Sequence, residues 1–270
     1  MLDIAHFWNW DRVAVHEWVA AMRQFADCGH RDLVITENMA LRIAFNPGFA
    51  KWLKQKADDA GVRFTGVHAP WGEWDLLVNV PGMAETKRHV HTTLLAILPE
   101  VFGIRHYVMH QMSWRGPYRG TFDDAERQVG EELEPLLRVA EKHGMVVALE
   151  NGWRVTDNPE ALLRYMRRYA GADVGCCMDV GHLNVVAKRD DYDFYAYLEA
   201  LLPHIVVCHL HDNDGKGDQH LLPGDGRIDW TKLMPILVRA PRLQSLQNEG
   251  GSMELSIPEL CRKIDTIRNY

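Results

Sequence analysis

The sequence predicts a closed (β/α)8 barrel, an α/β fold, and three observations predict it. Short β-rich runs alternate with longer amphipathic segments along the whole chain. Strands separated by helices demand a parallel sheet with right-handed crossovers. Eight such units fit into 270 residues, and α/β barrels of roughly 250 residues close as one domain. The chain also lacks an early GxGxxG turn, which an open dinucleotide-binding sheet would want. No linker and no low-complexity segment breaks the rhythm, so residues 1–270 read as a single barrel domain.

The elements follow in order. A first strand is expected over 2–7. A helix over 13–28 comes next, with Val15, Val19, Met22, Phe25 and Ala26 at helical spacing and a stop at Gly29. The second strand spans 32–36 and ends at Glu37; its helix spans 46–60 and closes at Gly61. The third strand covers 62–67, before a long helix over 83–102 ending at Gly103. Strand four is 104–109, and a charged helix over 122–143 stops at Gly144. Strand five is 145–149. Asp157-Asn158-Pro159 then starts a helix over 159–169, with proline at its first position. Strand six is 174–178 with a helix over 190–202. Strand seven is 205–210 with a helix over 230–238, and strand eight is 243–247 with a last helix over 257–268. Glycines directly after helices suit left-handed C-caps.

Composition excludes several classes. Hydrophobic residues make up 47% and charged residues 25%, which suits a packed core and not a disordered chain. Lys and Arg total 30 against 37 Asp and Glu, a net charge of −7, whereas nucleic-acid binders usually carry a basic face. Cys28, Cys176, Cys177, Cys208 and Cys261 show no CxxC spacing and an odd count, so they suit a reducing compartment. The first ten residues lack the basic region and long apolar stretch of a signal peptide. No apolar run approaches the ~18 residues of a membrane span. A cytoplasmic, non-membrane protein is expected, with a homo-oligomer left open.

Barrel active sites form at the C-terminal ends of the strands. There this chain places Glu37, His68-Ala69-Pro70-Trp71, His110, Glu150-Asn151, Asp179-Val180-Gly181-His182, His209-Leu210-His211-Asp212 and Glu249-Gly250-Gly251, with Asp218-Gln219-His220 in the loop after strand seven. His, Asp and Glu directly after apolar runs are costly to bury unless paired or metal-bound. Glu150, Asp179, His209 and Glu249 give three carboxylates and one imidazole, a set suited to a divalent Mn, Mg, Co or Zn ion. His68, His110, His182, Asp218 and His220 form a nitrogen-richer layer that reads either as substrate contacts and support or as additional zinc ligands. Trp8, Trp10, Trp71, Trp74, Trp114 and Trp153 fall in or beside the same loops, and broad indole faces suit sugar C–H surfaces.

These motifs resemble the xylose-isomerase-like TIM-barrel superfamily of sugar and sugar-phosphate isomerases and epimerases, which also contains the abasic-site endonucleases. The resemblance rests on HAP after strand three, Glu-Asn after strand five, DVGH after strand six, HLHDN with DQHLLPGDGRIDW after strand seven, and Asn-Glu-Gly at strand eight. It implies metal ligands at Glu150, Asp179, His209 and Glu249. It implies that Glu150 and Glu249 are also the catalytic proton carriers, one on each substrate face, and that His182 contacts substrate. The ketose epimerases carry an arginine in the loop after strand seven; this chain has Asp218-Gln219-His220 there. Those two ligand types match the third metal of the endonucleases, and all nine ligand positions of that trinuclear zinc centre have a compatible residue here.

The expected function is therefore a metal-dependent sugar or sugar-phosphate isomerase or epimerase working by proton transfer through an enediolate on a small carbohydrate. Substrate contacts are expected at His68, His110, His182, Trp71, Trp114 and Trp153, and additional metal ligands at Asp218 and His220. The alternatives are a multinuclear zinc phosphodiesterase or a sugar-conjugate lyase on the same scaffold. The scattered Arg115, Arg119, Arg154, Lys216 and Arg227 form no basic cluster for a polyanion, so no nucleic-acid partner is expected.

Overall fold

The computed structural model describes residues 3–112, 118–171, 173–251 and 255–267. Leu2 of the first expected strand, Trp114, Arg115 and the last residue of the final expected helix lie outside them. Eight parallel strands form the sheet: β1 Ile4–His6, β2 Asp32–Ile35, β3 Arg63–Val67, β4 His106–Met109, β5 Val146–Glu150, β6 Val174–Asp179, β7 Ile205–Leu210 and β8 Ser245–Asn248. Their order is β3-β2-β1-β8-β7-β6-β5-β4. The seam between β3 and β4 is bridged by a parallel His68–Val108 pair, with the Ala69 N–H donating to the Val108 carbonyl at 2.8 Å. The sheet is thus a nearly closed (β/α)8 barrel, as the alternation of elements predicts.

The helices around it are α1 Trp18–Asp27, α2 Glu37–Phe45, α3 Pro47–Ala60, α4 Ala84–Val101, α5 Phe122–His143, α6 Pro159–Arg168, α7 Val180–Arg189, α8 Phe194–Leu201, α9 Trp230–Leu237 and α10 Ile257–Ile267. Their starts have side-chain reasons. Thr121 and Asp124 cap α5 reciprocally. Asn158 accepts from the Ala161 N–H with Pro159 at the first position of α6. Gly144 closes α5 at φ +63°, a left-handed conformation that favours glycine.

Three segments differ from expectation. Short 3-10 turns at Trp10–Arg12 and Val15–Glu17 precede α1, which starts only at Trp18. Glu37 does not sit on a strand end; it opens α2. The expected helix over 190–202 is α8, Phe194–Leu201, and a further helix precedes it where none was expected: α7 begins at Val180 directly after β6. Asp179, the last residue of β6, accepts from the His182 N–H and so caps α7. The weak helix formers Gly181, Asn184, Val185 and Val186 hide that helix from a propensity reading.

Leu, Ile, Val, Met and aromatic side chains between sheet and helices make the main core, with Phe25, Met22, Leu33, Tyr107 and Tyr165 fully buried in it. Inside the barrel, Val108, Ala148, Cys177 and Val207 pack into a small layer of their own. Among the described residues no helix is long and apolar enough to cross a membrane.

Candidate active site

Strand alternation turns that apolar layer into the floor of the site. Side chains two residues apart point to the same side of a strand. Counting two onward from Val108, Ala148, Cys177 and Val207 reaches His110, Glu150, Asp179 and His209; from Gln247 the same step reaches Glu249. Register sets Asp179 and His209 opposite each other and offsets Glu150 and Glu249 from them by two residues each. Glu150 pairs with Cys177, Asp179 with His209, and His209 with Gln247. The layered interior of a (β/α)8 barrel thus delivers these groups to its C-terminal mouth.

There they converge. His209 Nδ1 lies 3.3 Å from Glu150 Oε2, 3.3 Å from Glu249 Oε1 and 3.8 Å from Asp179 Oδ2. The imidazole is fully buried, yet neither of its nitrogens makes a hydrogen bond among the described residues. A buried imidazole surrounded by carboxylate oxygens without hydrogen-bond geometry is the arrangement expected where a cation belongs between them. Glu150 also faces His68 Nε2 at 3.2 Å, His110 Nε2 at 3.4 Å and His182 Nδ1 at 3.4 Å. Asn151 fixes the neighbouring strand: its Oδ1 accepts from the Asp179 N–H at 2.7 Å and its Nδ2 donates to the Asp179 carbonyl at 2.9 Å.

A second cluster lies beside the first. His182, His211, Asp218 and His220 offer donor atoms within 4.8 Å of one another, as do His68, His110 and Glu150. Asp218 Oδ2 is 3.1 Å from His220 Nε2 and 3.4 Å from His182 Nε2. His211 was not among the expected site residues. It is fully buried, its Nε2 lies 2.9 and 3.0 Å from the two oxygens of Asp179, and its ring stacks on His220 with centroids 4.1 Å apart. Gly181 makes room for it, since a Cβ there would stand 2.0 Å from the His211 ring. The sequence signal was the i, i+2 spacing of His209 and His211 on one strand end, which puts both on the same side. Both clusters therefore have donor sets that fit divalent metals: oxygen-rich around Glu150, Asp179, His209 and Glu249, nitrogen-rich around His182, His211 and His220.

Burial and charge act on these groups in opposite directions. Burial raises Glu249, and the nearby Glu150 and Asp179 carboxylates push it further, well above the ordinary value. Burial would also raise Glu150, but His110 and His209 outweigh it and hold that carboxyl well below the ordinary range. Burial pulls His110 down; Glu150 and Asp75 overcome this and lift it to about 9. His182 is likewise raised, burial being outweighed by Asp179, Asp218 and Glu150. His209 is lowered, because burial exceeds the pull of Glu150.

The mouth opens into a cleft of about 540 Å³. His68, His110, His182, Trp71, Trp153, Asp218 and His220 all line it, together with Glu150 and Glu249. Trp8 borders it too, whereas Trp10 packs against Trp18 and Phe64 in the core and Trp74 is buried against Phe45. Trp114 lies outside the described residues. Gln111, Asp157 and Asp11 also line the cleft and had no sequence signal beyond their place in loops.

A family model described as xylose isomerase-like TIM barrel matches residues 33–242. Curated relatives from Methanocaldococcus jannaschii and Sinorhizobium fredii, both uncharacterized, match at 29% identity over 109 residues and 35% over 122. These stretches cover 39% and 40% of this chain and 36% and 37% of the relatives, so the chain spans little more than a third of their length. Similar solved structures include a 3-keto-D-glucoside 4-epimerase from E. coli, with TM-score 0.79, 17% identity and 100% of both chains covered. Another is D-psicose 3-epimerase with D-tagatose from Clostridium cellulolyticum, with TM-score 0.77, 17% identity, and 100% and 99% covered. A third is a xylose isomerase-like TIM barrel protein from Mycobacterium smegmatis in complex with magnesium, with TM-score 0.74, 14% identity, and 100% and 98% covered.

Proposed function

Because the chain belongs to the xylose isomerase-like TIM-barrel family, we propose that it is a metal-dependent sugar isomerase or epimerase. It shifts a proton at a carbon beside a carbonyl, through an enediolate. The observation that carries this reading is that Glu150 and Glu249 share one cleft, each 3.3 Å from the same buried imidazole of His209, which has no hydrogen-bond partner among the described residues. Sugar epimerases of the same fold, at 17% identity, are consistent with it.

Glu150, Asp179, His209 and Glu249 would hold the ion. When bound, a divalent metal supplies a chelate for neighbouring substrate oxygens and polarises the carbonyl, which acidifies the adjacent C–H. The rest is the work of the chain itself. The two glutamates sit in environments that push their proton affinities apart, and such a pair divides naturally into a base and an acid. In this reading the ionised Glu150 carboxylate takes the substrate proton, and Glu249 returns one from the other face. His182 lines the same cleft, with its Nδ1 2.8 Å from the Asn151 carbonyl and its Nε2 3.4 Å from Asp218 Oδ2, and in this reading its ring borders the bound substrate. Trp71 and Trp153 present indole faces to the sugar C–H surface and exclude water from it.

The test is isotope exchange. Metal-loaded protein incubated in deuterated water with ketoses, aldoses, their phosphates and glycosides should place deuterium on a carbon next to a carbonyl. A second reading, a multinuclear phosphodiesterase, is favoured by the His182–His211–Asp218–His220 group. Incision of an abasic-site duplex with no deuterium entering any sugar would replace the first reading by the second.

A further inference from the structure

The wall of the cleft beside the metal-fitting cluster carries polar groups with no hydrogen-bond partner among the described residues. Gln111 borders the cleft directly after His110 and is fully buried, yet its side-chain nitrogen and its oxygen both lack a hydrogen-bond partner among the described residues. The Trp8 indole N–H, on a side chain that also lines the cleft and is 7% exposed, is equally unpartnered. Unmade hydrogen bonds on buried groups are costly, and native structures keep few of them without a ligand or a function.

We propose that Gln111 and the Trp8 N–H form a hydroxyl-reading subsite, and that its ligand is the uncharged polyol portion of an unphosphorylated sugar. The inference deepens the isomerase reading and rests on it for the orientation of the substrate. Its chemistry follows from what a primary amide requires. The amide offers two N–H donors and a carbonyl acceptor. A hydroxyl both donates and accepts, so a vicinal diol satisfies both ends of Gln111, with the indole N–H serving a neighbouring oxygen. A phosphate dianion only accepts, and would leave the Gln111 oxygen unpaired.

Charge around the cleft points the same way. Away from the metal-fitting residues, Asp11, Glu37 and Asp157 line it. Among the described lining residues Arg154 is the one Lys or Arg, and its guanidinium is engaged: it donates to the Met112 carbonyl at 2.9 Å and lies 3.8 Å from Asp157. Asp11 is occupied by the Asn38 amide. Glu37 is half-buried, and burial raises its proton affinity. Among the described residues an anion entering this end meets carboxyls and no free cation, whereas a neutral polyol meets both donors and acceptors. The volume, about 540 Å³, falls within the roughly 300–1,000 Å³ of small-ligand pockets.

The experiment measures binding and exchange on the same metal-loaded samples. Titration calorimetry with free ketoses and aldoses and with their phosphates should show the free sugar binding at least about tenfold tighter than its phosphate. Gln111→Leu should weaken the free sugar about tenfold, the size expected from losing hydrogen bonds to a buried amide. It should leave metal content and phosphate affinity unchanged, and raise KM more than it lowers kcat. Trp8→Phe keeps the ring and removes only the donor, so it gives a milder loss in the same direction and serves if the first variant folds poorly. Tighter binding of phosphates, equal sugar affinity in both variants and wild type, loss of metal in Gln111→Leu, or no sugar binding at all would each overturn the subsite. Selective, Gln111-dependent binding without deuterium exchange would support the subsite and overturn the isomerase reading, so the two fail separately.

Discussion

Two populations of histidine in this barrel live under opposite electrostatic rules. At the mouth, His68, His110, His182, His209, His211 and His220 stand among carboxylates, and Glu150 alone faces four of them. In the body of the fold, His91 and His106 have neutral partners. His91 lies 2.8 Å from the Tyr107 hydroxyl and 2.8 Å from the Trp74 carbonyl. His106 lies 3.1 Å from the Gln247 amide inside the barrel. Burial pulls both of the latter down to about 4, while the mouth holds His110 at about 9 against the same burial. The same side chain is a neutral packing unit where its neighbours are neutral, whereas acidic neighbours lift His110 and His182 against burial; His209, where burial exceeds the pull of Glu150, stays lowered.

The largest break of that contrast should come from the mouth's acids. Glu150→Gln and Glu249→Gln each remove a ligand charge and a proton carrier together, so turnover should fall by about 10³-fold or more. Thermal unfolding of both variants should stay close to that of the metal-free wild type. If either variant keeps a tenth of the wild-type exchange rate, the paired-glutamate mechanism is lost.

The body should answer to acid instead. His91 and His106 fall from an ordinary 6.5 to about 4 on folding. Between those values the unfolded chain binds protons that the folded chain does not. Stability from this source is therefore full above about pH 6.5 and disappears as pH falls toward 4, by about 3 kcal/mol for each histidine. Urea unfolding of wild type and His106→Gln at several pH values checks this. The variant's loss of stability between pH 6.5 and 4 should be smaller by about that amount, and parallel curves would show that His106 does not titrate on unfolding.

Metal should stabilise the mouth and leave the body unaffected. At a free metal concentration about 100 times its dissociation constant, mass action adds about 2.7 kcal/mol to the folded state. For a chain of this size that raises Tm by several degrees. A chelator should reverse the gain, and a Tm unmoved by Mn, Mg, Co and Zn alike would argue against a folded-state metal site. The smallest effect is expected at His220, which is partly exposed at the rim. His220→Ala should reduce exchange about tenfold or less if one ion suffices. A loss equal to that of Glu150→Gln, with two or more metals released, would move the mouth from isomerase to multinuclear hydrolase.

Much of the architecture was legible because its signals are local. Short β-rich runs, glycine stops and the Asn158-Pro159 start mark strands and helices within a few residues of themselves. The helices α2 and α7 were missed because each begins where a strand has just ended. In α7 the capping group is Asp179, a residue that already read as a ligand. The same locality exposed the strand-end acids and histidines: Glu150, Asp179, His209 and Glu249 each follow or close an apolar strand, so a parallel barrel had to gather them at one end. Sequence alone determined that list. What only the tertiary structure decided is which atoms meet across it. His211 reaches Asp179 from another strand at 2.9 Å because Gly181 leaves room for its ring. Trp8 and Trp10 part company, one to the cleft and one to the core. Gln111 is buried without a hydrogen-bond partner among the described residues, at the wall of a cleft made by loops far apart in sequence. Each of these depends on distances between chain segments separated by tens of residues, and such distances are set by barrel closure and side-chain packing, which no local periodicity encodes.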